Sequence, residues 1–200
     1  MVIYSGNKKK TGGLLKVSHA IEKNKAGRSE ISFFFTIQQQ TGYDEKKHLA
    51  TFKDGKVKTV KFNQMEIGSI VATYLSSISG GKIDKWTSFH DGKDKTSISF
   101  SHYYVASPDP KNKPDTNMFT LSFKVGDEKF GVGITFGDMY ILKTKIDVAL
   151  SEFALIEQDE MQKERIKFTG NNTSTNSEEE DSNSENSSND DDEEDDDVPF

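Results

Sequence analysis

VKTVKFNQMEIGSIVATYLSSISGG, residues 57–81, holds the end of a strand, the start of a helix and the end of that helix in one segment. Asn63 followed three residues later by Glu66 is a capping-box pattern. Gly80-Gly81 is typical of a helix end. Between them, large apolar residues recur at helical spacing: Met65, Ile67, Ile70, Val71, Tyr74, Leu75 and Ile78. The segment therefore predicts a strand that runs directly into an amphipathic helix.

Strand-like segments rich in β-branched and aromatic residues lead up to this helix. They lie at 14–21, 31–40, 48–53 and 56–62. Asp54-Gly55, between the last two, predicts a two-residue hairpin turn, because this pair supplies the positive φ angles that such turns need. The first block is therefore predicted to be four strands followed by a helix.

The same pattern occurs a second time along the chain. Strands are predicted at 83–90, 95–105, 117–125 and 129–135, with Asp91-Gly92 as a turn and the stretch from Pro108 to Pro114 as a polar loop. A second helix is predicted from about 136, with its apolar stripe on Tyr140, Ile141, Ile146, Ala149, Leu150, Phe153 and Ile156. This tandem repeat predicts an α+β fold in which two antiparallel sheets pack with two helices.

The C-terminal end differs sharply in charge from the rest of the chain. Residues 171–200 contain 13 of the 33 Asp and Glu and none of the 26 Lys and Arg, which leaves residues 1–170 with six more basic than acidic side chains. So acidic and polar a segment cannot bury enough apolar surface to offset its chain entropy. We predict a domain over 1–168 and a disordered acidic tail over 169–200.

The tail ends in an unusual way for a solvating segment. Eight acidic residues, 190–197, are followed by Val198, Pro199 and Phe200. The terminal residue offers a ring and a free carboxylate together, and proline limits the entropy lost on docking. A solubilising role explains the acids but not this apolar end. We interpret Val198 to Phe200 as a protein-docking tip that follows the acidic run.

Composition limits the class of protein. No stretch approaches the roughly 20 apolar residues of a membrane span, and the N-terminus lacks the apolar core of a secretory signal. We expect a soluble, intracellular protein. The chain has no cysteine, which excludes disulfides, thiolate metal sites and cysteine nucleophiles.

Enzymatic signatures are missing from the sequence. The four histidines, His19, His48, His90 and His102, are scattered, and none of them form the i, i+4 pair of a helical metal site. No nucleophile elbow, P-loop or dinucleotide fingerprint is present, and Gly131-Val132-Gly133 is better explained as strand backbone close to a neighbouring chain segment. We predict no catalytic residue, no metal site, no cofactor and no enzymatic activity.

Lysines and aromatic residues are interleaved in the predicted strands. Lys56 and Lys58 alternate with Val57, which predicts that both lysines share one face of a strand whose other face is apolar. Phe33, Phe34 and Phe35 are consecutive, so at least one ring must point away from the face that the others occupy. Aromatic side chains among lysines form a stacking platform for unpaired bases. The same residues also suit a solvated sheet surface and a buried core, and for Trp86 burial is the commoner role.

The order of motifs resembles the Whirly family, single-stranded DNA-binding proteins with a tandem repeat of four strands and a helix, related to the PC4 coactivator fold. Residues 10–17 are similar to the family's Lys-Gly-Lys-Ala-Ala-Leu motif, with Gly12 in place of its second lysine. The other similar segments are 33–37, 41–44, 66–68, 88–91, 119–122, 141–142 and 149–150. The resemblance runs from about 8 to 156 and implies a homo-oligomer, with a tetramer favoured over a dimer.

The tail resembles a different family. Bacterial single-stranded DNA-binding proteins of the OB fold end in Asp-Asp-Asp-Ile-Pro-Phe, which is similar to residues 195–200 of this chain, DDDVPF. That resemblance implies docking onto replication and repair proteins. It also implies a cytoplasmic location, in a bacterial cell or a phage-infected host.

Together these patterns predict a sequence-tolerant single-stranded DNA-binding protein that acts in replication, recombination or repair. The predicted DNA-binding residues are Lys8, Lys9, Lys10, Lys16, Phe34, Thr36, Gln38, Tyr43, Lys46, Lys47, Lys56, Lys58, Lys61, Trp86, Phe89 and His90. The predicted docking residues are Asp195, Asp196, Asp197, Val198, Pro199 and Phe200. The tail is also predicted to compete with DNA for the lysine-bearing sheet, because its reach is on the order of 30 Å.

Three alternatives remain open at the level of sequence. The first is a transcription or RNA regulator of PC4 or Whirly type. The second is an OB-fold DNA-binding protein, which requires one five-stranded barrel. The third is an acidic interaction or DNA-mimic protein, in which the tail is the active surface.

Overall fold

The structure, a computed structural model, describes residues 1–92, 94–106 and 116–172, with side chains up to Phe168. The docking residues 195–200 and the loop predicted from Pro108 to Pro114 lie outside the described residues. The chain divides into two units, Met1–Glu160 and Met161–Phe200. The described part of the second unit is helical, and the predicted domain boundary at 168 stays a prediction.

Strands and helices follow one another in the order of a tandem repeat. Within the described residues they are β1 (Val2–Ser5), β2 (Gly13–Lys23), β3 (Ser29–Gln39), β4 (Gly42–Asp44), β5 (Leu49–Thr51), β6 (Val57–Phe62), α1 (Gln64–Ile78), β7 (Lys85–His90), β8 (Thr96–Val105), β9 (Thr116–Val125), β10 (Glu128–Thr135) and α2 (Phe136–Asn172). Two four-stranded antiparallel sheets and two helices result, which confirms the predicted α+β class.

The N-terminal sheet has the strand order β1-β2-β3-β6. Its first strand, β1, is missing from the prediction, and the predicted strand at 48–53 is instead the short β5, which pairs only with β4. The two-residue hairpin at Asp54-Gly55 is also wrong. The turn there is closed by a hydrogen bond from Gly55 N to Phe52 O, and β6 pairs with β3. The chain thus inserts the β4–β5 hairpin before it returns to the sheet.

The C-terminal sheet has the strand order β10-β9-β8-β7, so each strand pairs with the next along the chain. The four predicted strands match β7 to β10 within two residues at each end. Two separate four-stranded sheets are incompatible with a single five-stranded barrel, so the OB-fold alternative is wrong for the described residues.

Helix α1 begins with the predicted capping box. Asn63 Oδ1 accepts from Glu66 N at 2.9 Å, and Glu66 Oε2 accepts from Asn63 N at 3.1 Å. Ile67, Ile70 and Tyr74 are buried as predicted. The predicted stripe is too wide, however: Met65 is 84% exposed, and Leu75 and Ile78 are exposed as well.

Helix α2 is capped by Thr135, whose side chain hydrogen-bonds with Asp138. Its buried residues include Met139 and Leu142, whereas Tyr140 and Ile141 are exposed, which corrects the start of the predicted stripe. The later predicted positions Ile146, Ala149 and Phe153 are buried. No helix within the described residues is both long and apolar enough to cross a membrane.

The core lies between the inner faces of the sheets and the buried sides of the helices. Its largest fully buried side chains include Tyr74, Phe33, Phe35, Phe62, Phe100, Phe119 and Phe123. The sheets meet where a Cβ on Gly13 would lie 2.2 Å from the carbonyl oxygen of Gly131. This contact confirms the prediction that the Gly131–Gly133 strand lies against a neighbouring backbone segment.

Candidate nucleic-acid interface

Strand β3 separates the three consecutive phenylalanines between two faces. Phe33 and Phe35 are buried, whereas Phe34 is partly exposed on the opposite side of the strand. This division follows from the two-residue period of a strand. The sequence prediction that at least one ring points away from the others is confirmed.

The outer surface around Phe34 is termed the N-terminal face and consists of Lys16, Ser18, Phe34, Thr36, Gln38, Thr59 and Lys61. In the pairing register Phe34 lies opposite Ser18 on one side and Lys61 on the other. One row along, Thr36 lies between Lys16 and Thr59. Five predicted DNA-binding residues are thus brought together: Lys16, Phe34, Thr36, Gln38 and Lys61.

The positive charge of the N-terminal face is not neutralised locally. Lys16 and Lys61 are exposed, and neither forms an ion pair with another described residue. Glu22 and Glu30 lie opposite each other on the same side of the sheet, two rows beyond Phe34. The N-terminal face is therefore an aromatic surface flanked by lysines, and the pair Glu22–Glu30 bounds it at one end.

Three polar side chains of the N-terminal face already have partners. Thr36 Oγ1 and Thr59 Oγ1 are 2.8 Å apart and hydrogen-bonded. Gln38 Nε2 donates to Phe52 O at 2.6 Å, which holds the segment after β5 against the sheet. Gln38 therefore has a structural role, and its oxygen is the atom left for a ligand.

The three predicted lysines Lys8, Lys9 and Lys10 lie in the exposed loop between β1 and β2. Asn7 fixes this loop, because its Oδ1 accepts from Thr11 N at 3.0 Å. Buried Gln40 holds the loop from below: its Oε1 accepts from Asn7 N, and its Nε2 donates to Asn7 O. The lysines are thus displayed on a constrained loop.

A second basic loop joins β4 and β5. Lys46 and Lys47 are exposed there, and their backbone amides both donate to Asp44 Oδ1. Tyr43 is partly exposed on β4 of the same hairpin. These three predicted residues therefore lie together, on an element separate from the N-terminal face.

Lys56 and Lys58 do not form the predicted exposed lysine face. Lys58 shares the inner side of β6 with Val60 and Phe62, its side chain is only 18% exposed, and it forms an ion pair with Asp94 at 3.1 Å. Val57, predicted to be on the apolar side, is 54% exposed. Lys56 is paired with Glu128. The predicted alternation between Lys58 and Val57 is correct, but its two sides are exchanged. Lys58 lies on the inner side of β6, where Asp94 is the partner for its charge.

Trp86 and His90 lie on the inner side of β7. Trp86 packs against the core, with its ring centroid 6.2 Å from that of Phe62. His90 Nε2 donates to Glu66 Oε1 at 2.7 Å, and Ser88 Oγ donates to the same oxygen at 2.9 Å. These two predicted residues are half-buried, link β7 to the first repeat and do not lie on the outer side of the sheet.

The carboxylate of Glu66 has a perturbed pKa. Burial acts to raise it, but hydrogen bonds from the His90 side chain, the Asn63 amide and Ser88 outweigh burial, and the pKa lies below its ordinary value. Hydrogen bonds to a charged form stabilise that form. Glu66 therefore joins the start of α1 to the C-terminal sheet as an ionised group.

The C-terminal sheet has an outer surface that the sequence prediction largely missed. The C-terminal face consists of Lys85, Thr87, Phe89, Ser97, Ser99, Ser101, Tyr103, Thr120, Ser122, Lys124, Lys129, Gly131 and Gly133. Of the predicted residues only Phe89 lies on it, 56% exposed. None of these described residues carries a carboxylate. The available signal was the alternation of serines with Ile98 and Phe100 in β8, which marks an outward polar side.

An open cleft of about 680 Å³ lies where the N-terminal sheet meets the C-terminal face. This intersheet cleft is lined by residues that include Lys10, Gln39, Tyr103, Ser122, Lys129 and Gly131. Gln39 Nε2 donates to Lys129 O at 2.8 Å and so joins the two sheets at its edge. Lys10 is the one lining residue among the predicted DNA-binding set.

Metal chemistry finds no support among the described residues. Within 1–92, 94–106 and 116–172, no group of three or more His, Cys, Asp or Glu side chains is placed to hold an ion. The geometry instead offers lysines, hydroxyls and exposed rings, which suit reversible binding of a polyanion with unpaired bases.

The solved structures that are similar to this fold include two plant proteins. WHY3 from Arabidopsis thaliana is 16% identical, with a TM-score of 0.48 over 75% of this chain and 85% of that chain. The plant transcriptional regulator PBF-2 is 18% identical, with a TM-score of 0.43 over 78% and 79%. No protein-family model matches the sequence, and neither does any curated protein sequence.

Proposed function

We propose that this protein binds single-stranded DNA without strong sequence preference, through the N-terminal face. The observation that carries this proposal is the exposed side of Phe34, with Lys16 and Lys61 within one row of it and without ion pairs to other described residues. A ring on a rigid sheet stacks on any base, and flanking lysines contact phosphates. Such a surface favours unpaired bases over a duplex, whose bases are already stacked.

The basic loops extend the same binding surface in this proposal. Lys8, Lys9 and Lys10 in one loop, and Lys46 and Lys47 in the other, carry exposed positive charge on hydrogen-bonded turns. Such charges raise the rate of encounter with a polyanion and weaken its release at low salt. The sequence resemblance to the Whirly family supports this assignment independently of the geometry.

Binding of a labelled oligothymidylate, followed by fluorescence anisotropy at two salt concentrations, tests the proposal. Phe34→Ala is expected to cost roughly 1–3 kcal/mol of binding free energy. Lys16→Gln and Lys61→Gln are each expected to reduce the slope of log affinity against log salt by about 0.7. Lys82→Gln, exposed in the loop between α1 and β7, is the matched control.

A wild-type protein that ignores single strands, or that binds duplex equally well, rejects the proposal. Preference for RNA over DNA of the same sequence would favour the regulatory alternative. Binding that is unchanged by Phe34→Ala and by both lysine changes would reject the N-terminal face as the surface.

We also propose a homo-oligomer, with a tetramer favoured over a dimer. Ile141, Val148 and Leu155 are exposed on α2 at intervals of seven residues, which places them along one side of the helix. Exposed apolar stripes of this kind mark association surfaces. Sedimentation of the wild type should give a multiple of the chain mass, and Val148→Glu should lower it. A wild-type monomer would reject this part.

The remaining functional assignment concerns the tail and the biological role. We propose that residues 195–200 recruit replication and repair proteins, in a bacterial cell or a phage-infected host, and that the protein itself is not an enzyme. The sequence resemblance of the tail supports this. Deleting Phe200 should abolish capture of replication and repair proteins on the immobilised full chain.

Deleting residues 171–200 should strengthen DNA binding at low salt, because the acidic tail then no longer competes with DNA for the lysines. Unchanged binding would reject this competition.

A further inference from the structure

We propose that the intersheet cleft is a second binding site, which takes one nucleotide through its phosphate. Its volume of about 680 Å³ falls within the roughly 300–1,000 Å³ typical of small-ligand pockets. It is separate from the N-terminal face. Gln39 and Ser5, which line the cleft, belong to the inner side of the N-terminal sheet, whereas Phe34 lies on the outer side.

The charge of the cleft selects an anion. Lys10 and Lys129 line it, and none of the described residues that line it is acidic. Lys129 also lies directly opposite Lys124 in the β9–β10 pair. Like charges in this position repel each other, and neither lysine forms an ion pair with another described residue. A bound phosphate relieves that repulsion.

The shape of the cleft admits a nucleotide. A Cβ built on Gly131 would meet no atom within 4 Å, so the floor beside it is open. Ser122 and Thr120 supply small hydroxyl side chains there. Tyr103, 40% exposed at the rim, offers a ring on which a base can stack.

The walls of the cleft are held before any ligand arrives. Gln39 bridges the two sheets by its bond to Lys129 O. The loop that carries Lys10 is fixed by Asn7, which bonds both Thr11 and the buried Gln40. Preorganised donors lose little entropy on binding, so a small ligand can be held by few contacts.

The phosphate-bearing nucleotide has two chemical sources, a nucleotide of a bound single strand and a free nucleotide. The first source rests on the proposed function, because the strand must already be held by the protein. The second does not. In both cases Lys129 contacts the phosphate, and a nucleoside without phosphate binds more weakly.

Calorimetric titration of the full-length protein with thymidine monophosphate, thymidine and an oligothymidylate of about 20 nucleotides tests this site. Lys129→Gln is expected to weaken binding about tenfold, the effect of losing one hydrogen bond to a charged group. Tyr103→Leu should weaken it further. The matched control is Lys85→Gln, an exposed lysine of the C-terminal face that does not line the cleft, which should change affinity by less than about threefold.

Each outcome has a definite meaning. Loss of monophosphate binding in Lys129→Gln, with thymidine already weak, identifies a free-nucleotide site. The same loss seen only with the oligonucleotide identifies a strand-binding site. If Lys129→Gln changes neither, or if Lys85→Gln weakens both as much as Lys129→Gln does, the cleft site is overturned.

Failure of this inference is distinguishable from failure of the proposed function. If Phe34→Ala weakens oligonucleotide binding while Lys129→Gln does not, the N-terminal face stands and the cleft falls. If Lys129→Gln acts and Phe34→Ala does not, the cleft stands and the N-terminal face falls.

Discussion

The N-terminal and C-terminal sheets correspond residue by residue through their pairing registers. His19 lies opposite Phe33 in the first sheet, and His102 lies opposite Phe119 in the second. Both phenylalanines are buried in the core. The inner sides of the two sheets are thus built on one plan, because both must fill the same kind of apolar space.

The outer sides of the same sheets have diverged. The register places Thr120 of the C-terminal sheet where the N-terminal sheet has Phe34, and Gly133 where it has Lys61. Side chains on an outer side do not have to fill a core, so they are free to serve binding. The difference indicates that function in this fold is assigned by faces: a ring with lysines on one sheet, and a small-residue surface beside a cleft on the other.

Substitutions of two neighbouring residues of β3 test whether the inner and outer sides of the sheet have different roles. They have the largest expected effect on stability. Phe33→Ala is expected to cost about 3–5 kcal/mol of stability, because it opens a cavity in the core. Phe34→Ala should cost about 0.5 kcal/mol or less, since its ring faces outward. Urea unfolding monitored by circular dichroism measures both.

The corresponding change in the second sheet is the control for this test. Phe119→Ala should behave like Phe33→Ala, because both side chains are buried. Equal losses of stability in Phe33→Ala and Phe34→Ala would mean that β3 has no binding face separate from the core.

The sequence predicts the second repeat better than the first. Strands β7 to β10 pair in chain order, so local patterns and turns are sufficient to place them. In the first repeat β6 pairs with β3, and the β4–β5 hairpin is inserted between them. The partner of β6 is a strand from an earlier part of the chain, so this pairing depends on the sheet that β1, β2 and β3 form. No pattern within residues 48–62 contains that information.

The sequence predicts which side chains point inward only where it offers a single set of regularly spaced apolar residues. The four residues 139–142, Met-Tyr-Ile-Leu, are all apolar, so helical periodicity does not decide which of them are buried. Packing selects Met139 and Leu142. In β6 the inward direction of Lys58 depends on Asp94, more than 30 residues away. In the candidate site, Phe34 was predictable from three consecutive rings, whereas the cleft requires two sheets to meet.

The contact between the sheets gives a second test, with an intermediate effect. Gly13→Ala should destabilise the protein by about 1–3 kcal/mol, because the new Cβ would clash with the Gly131 carbonyl oxygen, which is backbone and cannot rotate away. Gly131→Ala should be tolerated, since nothing lies within 4 Å of its Cβ position. Thermal unfolding of the two variants measures the difference. If Gly13→Ala is neutral, the two sheets are not held together at this point.

The starts of the two helices give the smallest expected effect. Thr135 and Asp138 begin α2 as Asn63 and Glu66 begin α1, but Glu66 also bonds to the C-terminal sheet through His90 and Ser88. Glu66→Gln should cost about 1–2 kcal/mol at neutral pH, and Asp138→Asn about 0.5–1 kcal/mol, because the second change removes capping contacts alone.

The stability lost in Glu66→Gln should depend on pH in a defined direction. The pKa of Glu66 is lower in the folded protein than its ordinary value, so the ionised carboxylate favours the folded state. That contribution is fully present at neutral pH, and it disappears as pH falls below about 4.3, the ordinary value for a glutamate, and through the lower folded pKa. Urea unfolding at neutral and acidic pH should therefore show the wild type approaching Glu66→Gln on acidification. A loss that stays constant with pH would mean that Glu66 joins the two repeats through the shape and hydrogen bonds of its side chain and not through its charge, because the loss would then be the same whether or not the carboxyl group is ionised.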